Sequence, residues 1–138
     1  MNPETASDDE FLAAVESAEW PGEHFGHREH VRLAWLYLRR HGPVEGYERI
    51  RGTIQKYATA LGAPGKYHET VTRAWSAHVY VALKETPDLN PFSAFQEAHE
   101  GLRDSKLLSR HYRKETLEAE AARRAWVSPD ISPLPAFP

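Results

Sequence analysis

The chain has 138 residues, a formal net charge of −3 from 17 Lys and Arg against 20 Asp and Glu, and no cysteine. This is the length of one ordinary domain, and the lack of cysteine excludes disulfides, thiolate metal sites and a cysteine nucleophile. The charge balance gives no general attraction to nucleic acid or to an anionic membrane, and no apolar run approaches the roughly 18 residues of a membrane helix. We therefore expect a soluble, cytoplasmic protein that acts on a small-molecule substrate and binds neither nucleic acid nor a membrane. The composition is compatible with a homodimer.

Apolar residues recur at helical spacing along nearly the whole chain, and no run of strand length alternates apolar and polar residues. The sequence predicts an all-α fold, a single compact helical bundle over residues 1–138 with a flexible N-terminus over residues 1–6. The predicted helices, about six to seven, are Asp8 to Ala18, His27 to Gly42, Tyr47 to Leu61, Tyr67 to Glu85, a segment after Asn90 with Phe92, Phe95 and His99 on one face, Leu107 to Leu117, and a short one reaching Trp126.

Three local signals set the boundaries of these helices. Ser7 with Glu10 three residues later is a capping-box pattern that starts the first helix. Gly42 suits the left-handed position that ends a helix, and Pro43 follows it. Asn90 is predicted to cap the helix that follows it, with proline at its first position.

The C-terminal residues 128–138 contain four prolines and cannot form a helix, because proline removes a backbone donor and restricts its predecessor. Four apolar residues in and just before this tail, Trp126, Ile131, Leu134 and Phe137, can anchor it to the body. The sequence favours an extended strap across the bundle. A polyproline ligand for a partner domain is the alternative.

Histidines on three separate helices are predicted to point toward the core. At 100° per residue, His27 and His30 share the apolar face of the second helix, His68 lies on that of the fourth, and His111 on that of the sixth. A buried imidazole needs partners for both ring nitrogens, so several on core faces indicate a function.

A transition-metal site is the first functional hypothesis. His30, His68 and His111 would hold zinc, iron or copper in a pocket between the second, fourth and sixth helices, with His27 as fourth ligand or as acid–base. Glu29 does not complete the stronger pattern of two histidines four residues apart with an intervening glutamate. Metal would act as a Lewis acid or in oxidative chemistry.

Two alternatives stay open beside the metal site. In a metal-free enzyme, His68 or His30 transfers protons while Tyr67, Tyr112 or Arg73 orients the substrate. In a non-catalytic ligand-binding or interaction module, the histidines serve the structure. His27 would then act as part of a helix cap, and the tryptophans would be core residues.

Four sequence blocks carry a resemblance across nearly the whole chain, from Phe25 to Pro135: FGHREHVRLAWLYLRR, KYHETVTRAW, LLSRHY and AWVSPDISPLP, in that order. The chain resembles a widespread family of small uncharacterised bacterial proteins. The resemblance implies that the chain is related to these proteins, but it implies no particular activity. The blocks contain the residues His27, His30, His68, His111, Tyr112, Pro129 and Asp130, and so suggest that these residues are linked to one cavity.

Overall fold

Helices form all the regular secondary structure of residues 2–138, the part of the chain that the computed structural model describes. The six α-helices are α1 Asp8–Glu16, α2 His27–Ala60, α3 Glu69–Glu85, α4 Phe92–Ala98, α5 Lys114–Glu118 and α6 Glu120–Arg124. Short 3-10 turns occur between several of them, and no strand is present in this part of the chain. The predicted all-α bundle of about six helices is confirmed.

Helix α2 is two helical arms that fold back on each other at Gly42. The backbone there has φ 79° and ψ 179°, so Gly42 ends the first arm as predicted and Pro43 begins the second. A Cβ atom on Gly46 would lie 2.8 Å from the carbonyl oxygen of Tyr37. Residues nine apart in a straight helix are separated by about 13.5 Å. This contact therefore exists only because the arms fold back.

The first arm of α2 is buried on every side from Val31 to Leu38 and forms the centre of the core. Arg32 lies within this buried stretch, and only 8% of the residue is exposed. Its guanidinium lies 2.8 Å from the carboxylate of Asp8 and donates to the carbonyl of Ala6. An ion pair with the N-terminal segment thus compensates the burial of this charge.

The predicted helix from Leu107 to Leu117 is wrong, because a 3-10 turn over Leu107–Arg110 and the separate helix α5 occupy this segment. The C-terminal tail causes the break. The carbonyl of His111 accepts from the N–H of Ile131, and the N–H of Arg113 donates to the carboxylate of Asp130. Main-chain groups that would continue a helix are hydrogen-bonded to the tail instead.

The tail after α6 is an extended strap on the body, as predicted. The N–H of Val127 donates to the hydroxyl of Thr70 at 3.1 Å, and its carbonyl accepts from the hydroxyl of Tyr112 at 2.6 Å. Near the end of the strap, the ring of Phe137 packs edge-on against Tyr47, with ring centres 5.7 Å apart. The strap therefore contacts α2, α3 and the segment before α5.

The predicted flexible N-terminus, residues 1–6, includes Met1, which lies outside the described residues. Ala6 packs against the core. Within residues 2–138, every helix is too short or too polar to cross a membrane.

Candidate functional site

A cavity of about 210 Å³ lies between the two arms of α2 and the first half of α3. Its apolar wall is formed by Ala34 from the first arm, Ile50 and Ile54 from the second arm, and Val71 and Trp75 from α3. The fold-back at Gly42 brings the two arms together. The cavity exists only because of that fold-back.

Three of the four histidines predicted as metal ligands line this cavity. His27 and His30 belong to the first turn of α2, and His68 immediately precedes α3. Tyr67 and Lys66 line it beside His68. The local reason is that both helices begin at the cavity, so residues of their first turns face each other across it.

His27 is held by a main-chain carbonyl and packs on a tryptophan. Its Nε2 lies 2.7 Å from the carbonyl oxygen of Leu102, and its ring centre is 4.5 Å from that of Trp75. A carbonyl only accepts hydrogen bonds, so Nε2 carries the proton. Nδ1 of the neutral ring then has a free lone pair, and no group of residues 2–138 donates to it.

His30 has the opposite tautomer. Its Nδ1 donates to the carbonyl of Gly26 at 2.9 Å, and its ring stacks on Phe25 with the centres 4.4 Å apart. Within residues 2–138, Nε2 has no hydrogen-bond partner. His30 is solvent-exposed and lines the cavity. The surrounding protein nevertheless desolvates the ring and lowers the pKa of His30 below the usual 6.5, and the hydrogen bond to Gly26 opposes this shift. His30 is therefore neutral at pH 7.

His68 has both ring nitrogens engaged by the main chain. Its Nε2 donates to the carbonyl of Leu117 at 2.7 Å, and its Nδ1 accepts from the N–H of Val71 at 3.1 Å. It is the N-cap of α3, and this is why the helix begins at Glu69 and not at Tyr67 as predicted. No lone pair is left for a metal or a proton unless one of these bonds breaks.

His111 is not near His30 and His68 and does not line the cavity. Its Nε2 lies 3.0 Å from Nε2 of His78, and its Nδ1 lies 3.1 Å from the carbonyl oxygen of Ser132 in the strap. Burial, followed by the charges of His111 and Arg110, lowers the pKa of His78 to about 4. Because Nδ1 of His111 faces a carbonyl, its Nε2 accepts from His78, and the pair joins α3 to the strap.

The predicted metal-ligand set of His27, His30, His68 and His111 is not assembled in this structure. Across residues 2–138, no three or more His, Asp or Glu side chains are grouped as a metal ion requires. The four histidines do not form a metal site because both ring nitrogens of His68 are hydrogen-bonded to the main chain and because His111 pairs with His78. A bound zinc, iron or copper ion stays a prediction.

Arg73, predicted to orient the substrate, contacts the strap and does not line the cavity. Its guanidinium carbon lies over the rings of Tyr47, Trp126 and Phe137, at 5.3, 5.5 and 5.2 Å from their centres. It also donates to the main-chain oxygen of Pro138 at 3.2 Å. The arginine therefore fastens the last residues of the strap by stacking and hydrogen bonding.

Tyr112, also predicted to orient a substrate, is likewise engaged with the strap. It is 1% exposed, and its hydroxyl donates to the carbonyl of Val127. Burial and the nearby charge of Asp130 raise the pKa of Tyr112 to about 12. The hydroxyl is a fixed donor that positions the strap, outside the histidine cavity.

A buried carboxylate beside the cavity escaped the sequence analysis. Glu69 accepts hydrogen bonds from the hydroxyls of Tyr47 at 2.6 Å and Tyr67 at 2.7 Å, and from Arg51 at 3.0 Å. Burial opposes its ionisation, but these donors outweigh burial and lower the pKa of Glu69 below 4.5. In the sequence the only signal was an acidic residue at the start of a helix, which a favourable helix dipole already explains. The network fixes Tyr67 at the cavity wall.

Searches of protein-family models, curated proteins and solved structures found no match to the chain. The resemblance to small bacterial proteins therefore stays a prediction. The candidate site rests on its own geometry.

Proposed function

We propose that the protein is a small-molecule enzyme that uses the imidazoles of His30 and His27 for proton transfer in the cavity between α2 and α3. One observation carries the proposal. Each of these histidines has one ring nitrogen held by a main-chain carbonyl and the other without a partner in residues 2–138. A ring held in this way keeps one tautomer and one orientation, as a general base requires.

The surroundings favour His30 as the base. A lowered pKa keeps the ring unprotonated at neutral pH, and exposure to the cavity lets a substrate reach it. The apolar wall with Ile50 and Trp75 excludes water from a bound molecule, which strengthens polar interactions there. The supported reaction class is removal of a proton from a small molecule, or from a water that attacks it.

His68 and Tyr67 are positioning residues in this proposal. His68 spans from the first turn of α3 to the carbonyl of Leu117, and Tyr67 is fixed by Glu69. Both ring nitrogens of His68 and the proton of the Tyr67 hydroxyl are already used in hydrogen bonds. Only the lone pairs of the Tyr67 hydroxyl oxygen remain available. They hold the wall of the cavity opposite His27 and His30.

A non-catalytic ligand-binding protein is the second candidate. The observation that favours it is that His27, His30 and His68 each form a hydrogen bond to a separate main-chain carbonyl. Structural histidines are typically satisfied in this way. Both candidates use the same cavity.

Modification with diethylpyrocarbonate tests whether His30 is an available base. This reagent acylates unprotonated imidazole nitrogens, so we expect Nε2 of His30 to react at least about tenfold faster than His68, whose nitrogens are freed only by local opening. The rate at His30 is expected to rise with pH and to reach half its maximum below pH 6.5, because a lowered pKa leaves the ring unprotonated at lower pH. Peptide mass spectrometry measures both rates.

The exposed His24, whose side chain makes no hydrogen bond within residues 2–138, is the internal control for reagent access. Equal rates at His30 and His68, or a midpoint for His30 above pH 6.5, would contradict the proposal. Protection of His30 with rapid reaction of His24 would do the same.

A further inference from the structure

The cavity carries a single permanent charge, and that charge is positive. Lys66 is the only Lys, Arg, Asp or Glu among its lining residues. Its ammonium group forms no ion pair with any acidic side chain of residues 2–138. With His30 neutral, the cavity has a net positive charge and no acidic group of its own to balance it. A ligand with one negative charge complements this arrangement.

The cavity wall has more free hydrogen-bond acceptors than free donors. The hydroxyls of Thr72 and Ser76 donate to main-chain carbonyls at 2.7 and 2.8 Å, and that of Tyr67 donates to Glu69. Their protons are therefore not available to a ligand. Together with the free nitrogens of His27 and His30, the wall offers several acceptors, and Lys66 is its one charged donor.

The size and the walls of the cavity restrict the body of the ligand. A volume of about 210 Å³ is below the range of roughly 300–1,000 Å³ that is typical of drug-sized ligands. A single ring fits this space better than a nucleotide or a peptide does. The rings of Trp75 and His27 and the side chains of Ile50 and Ile54 favour an apolar or aromatic body.

We infer that the cavity binds a small carboxylate with a single-ring apolar body and one hydroxyl group. Lys66 pairs with the carboxylate, and His30 accepts the hydrogen bond of the hydroxyl. The inference rests on the proposed function, because the hydroxyl is the group from which His30 would remove a proton. It adds a substrate class to that function.

Binding of simple probes tests this assignment in the full chain. 3-Hydroxybenzoate and 4-hydroxybenzoate carry all three features, 4-hydroxybenzamide lacks the charge, and benzoate lacks the hydroxyl. Titrations followed by the NMR signal of the Trp75 indole are expected to give dissociation constants of about millimolar for the better hydroxybenzoate, and binding about tenfold weaker for each incomplete probe. Both isomers are used because the flexible lysine stem can reach either carboxylate position.

Two lysine variants separate the cavity charge from the general charge of the chain. Lys66→Gln is expected to weaken hydroxybenzoate binding about tenfold and to leave 4-hydroxybenzamide binding unchanged. Lys56→Gln, which removes an exposed lysine that does not line the cavity, is expected to change neither.

Equal binding of hydroxybenzoate and hydroxybenzamide, equal binding of benzoate and hydroxybenzoate, or equal effects of the two lysine variants would overturn the inference. So would the absence of a Trp75 shift at about 10 mM of both hydroxybenzoates. The reactivity of His30 toward diethylpyrocarbonate needs no ligand. A wrong substrate class is therefore distinguishable from a failure of the proposed function.

Discussion

Replacing Glu69 with alanine is expected to lower the free energy of unfolding by about 3 kcal/mol, because it removes the shared acceptor of three buried or half-buried donors. The variant leaves the hydroxyl of Tyr47 without a partner in a residue that is 6% exposed, and removes the close ion pair of Arg51. Tyr67 at the cavity wall loses its partner as well. Urea denaturation followed by circular dichroism measures the difference.

Glu48→Ala is the matched control, because Glu48 pairs with the same Arg51 at 3.4 Å but has a side chain that is 65% exposed. An exposed pair of this kind contributes little, and we expect a change within about 0.5 kcal/mol. If the two variants lose the same stability, the network around Glu69 does not stabilise the fold as described.

The effect of Glu69 is also expected to depend on pH with a definite sign. Its pKa is lowered in the folded chain, so the carboxylate contributes stability that is present above pH 4.5 and lost as the pH falls through the folded pKa. The gap in stability between the wild type and Glu69→Ala should therefore narrow on acidification below pH 4.5.

Gly46→Ala is expected to lower the free energy of unfolding by about 2–3 kcal/mol, because the added methyl group collides with backbone rather than with a movable side chain. Its Cβ would lie 2.8 Å from the carbonyl oxygen of Tyr37 and 3.0 Å from Cα of Leu38. The two arms of α2 would have to separate at the point where they cross. Since both arms line the cavity, hydroxybenzoate binding should weaken along with stability.

Gly52→Ala in the same arm is expected to raise the free energy of unfolding. A methyl group there meets nothing within 4 Å, and alanine favours a helix over glycine by up to about 1 kcal/mol. Thermal or urea unfolding of the two variants should therefore shift in opposite directions. A stable Gly46→Ala protein with an unchanged cavity would contradict the close crossing of the arms.

Local signals in the sequence were sufficient for some helix boundaries, but the predicted cap Asn90 is wrong, because Pro91 occupies the N-cap position of α4. Ser7 and Glu10 form the capping box that starts α1, and Gly42 has the left-handed backbone that its position before proline indicated. These features depend on neighbours within three or four residues, which a sequence displays directly. The break near His111 was missed because its cause, the strap, is about 20 residues away in the chain.

The candidate site was predicted in part, for a related reason. Helical projection assigns a histidine to a face of its own helix, but it does not reveal which faces meet. His27, His30 and His68 come to one cavity because α2 folds back and α3 begins beside it, whereas His111 pairs with His78. Projection also gives no information about ring nitrogens. The capping role of His68 became visible only with its two hydrogen bonds.

The tautomers of His27 and His30 test the central claim most directly, and long-range ¹H–¹⁵N NMR of the histidine side chains measures them at pH 7.5. We predict that the proton of His27 is on Nε2, that of His30 on Nδ1 and that of His68 on Nε2. The opposite tautomer at either His27 or His30, or a doubly protonated His30 at that pH, would contradict the account of free acceptor nitrogens on two histidines that line one cavity.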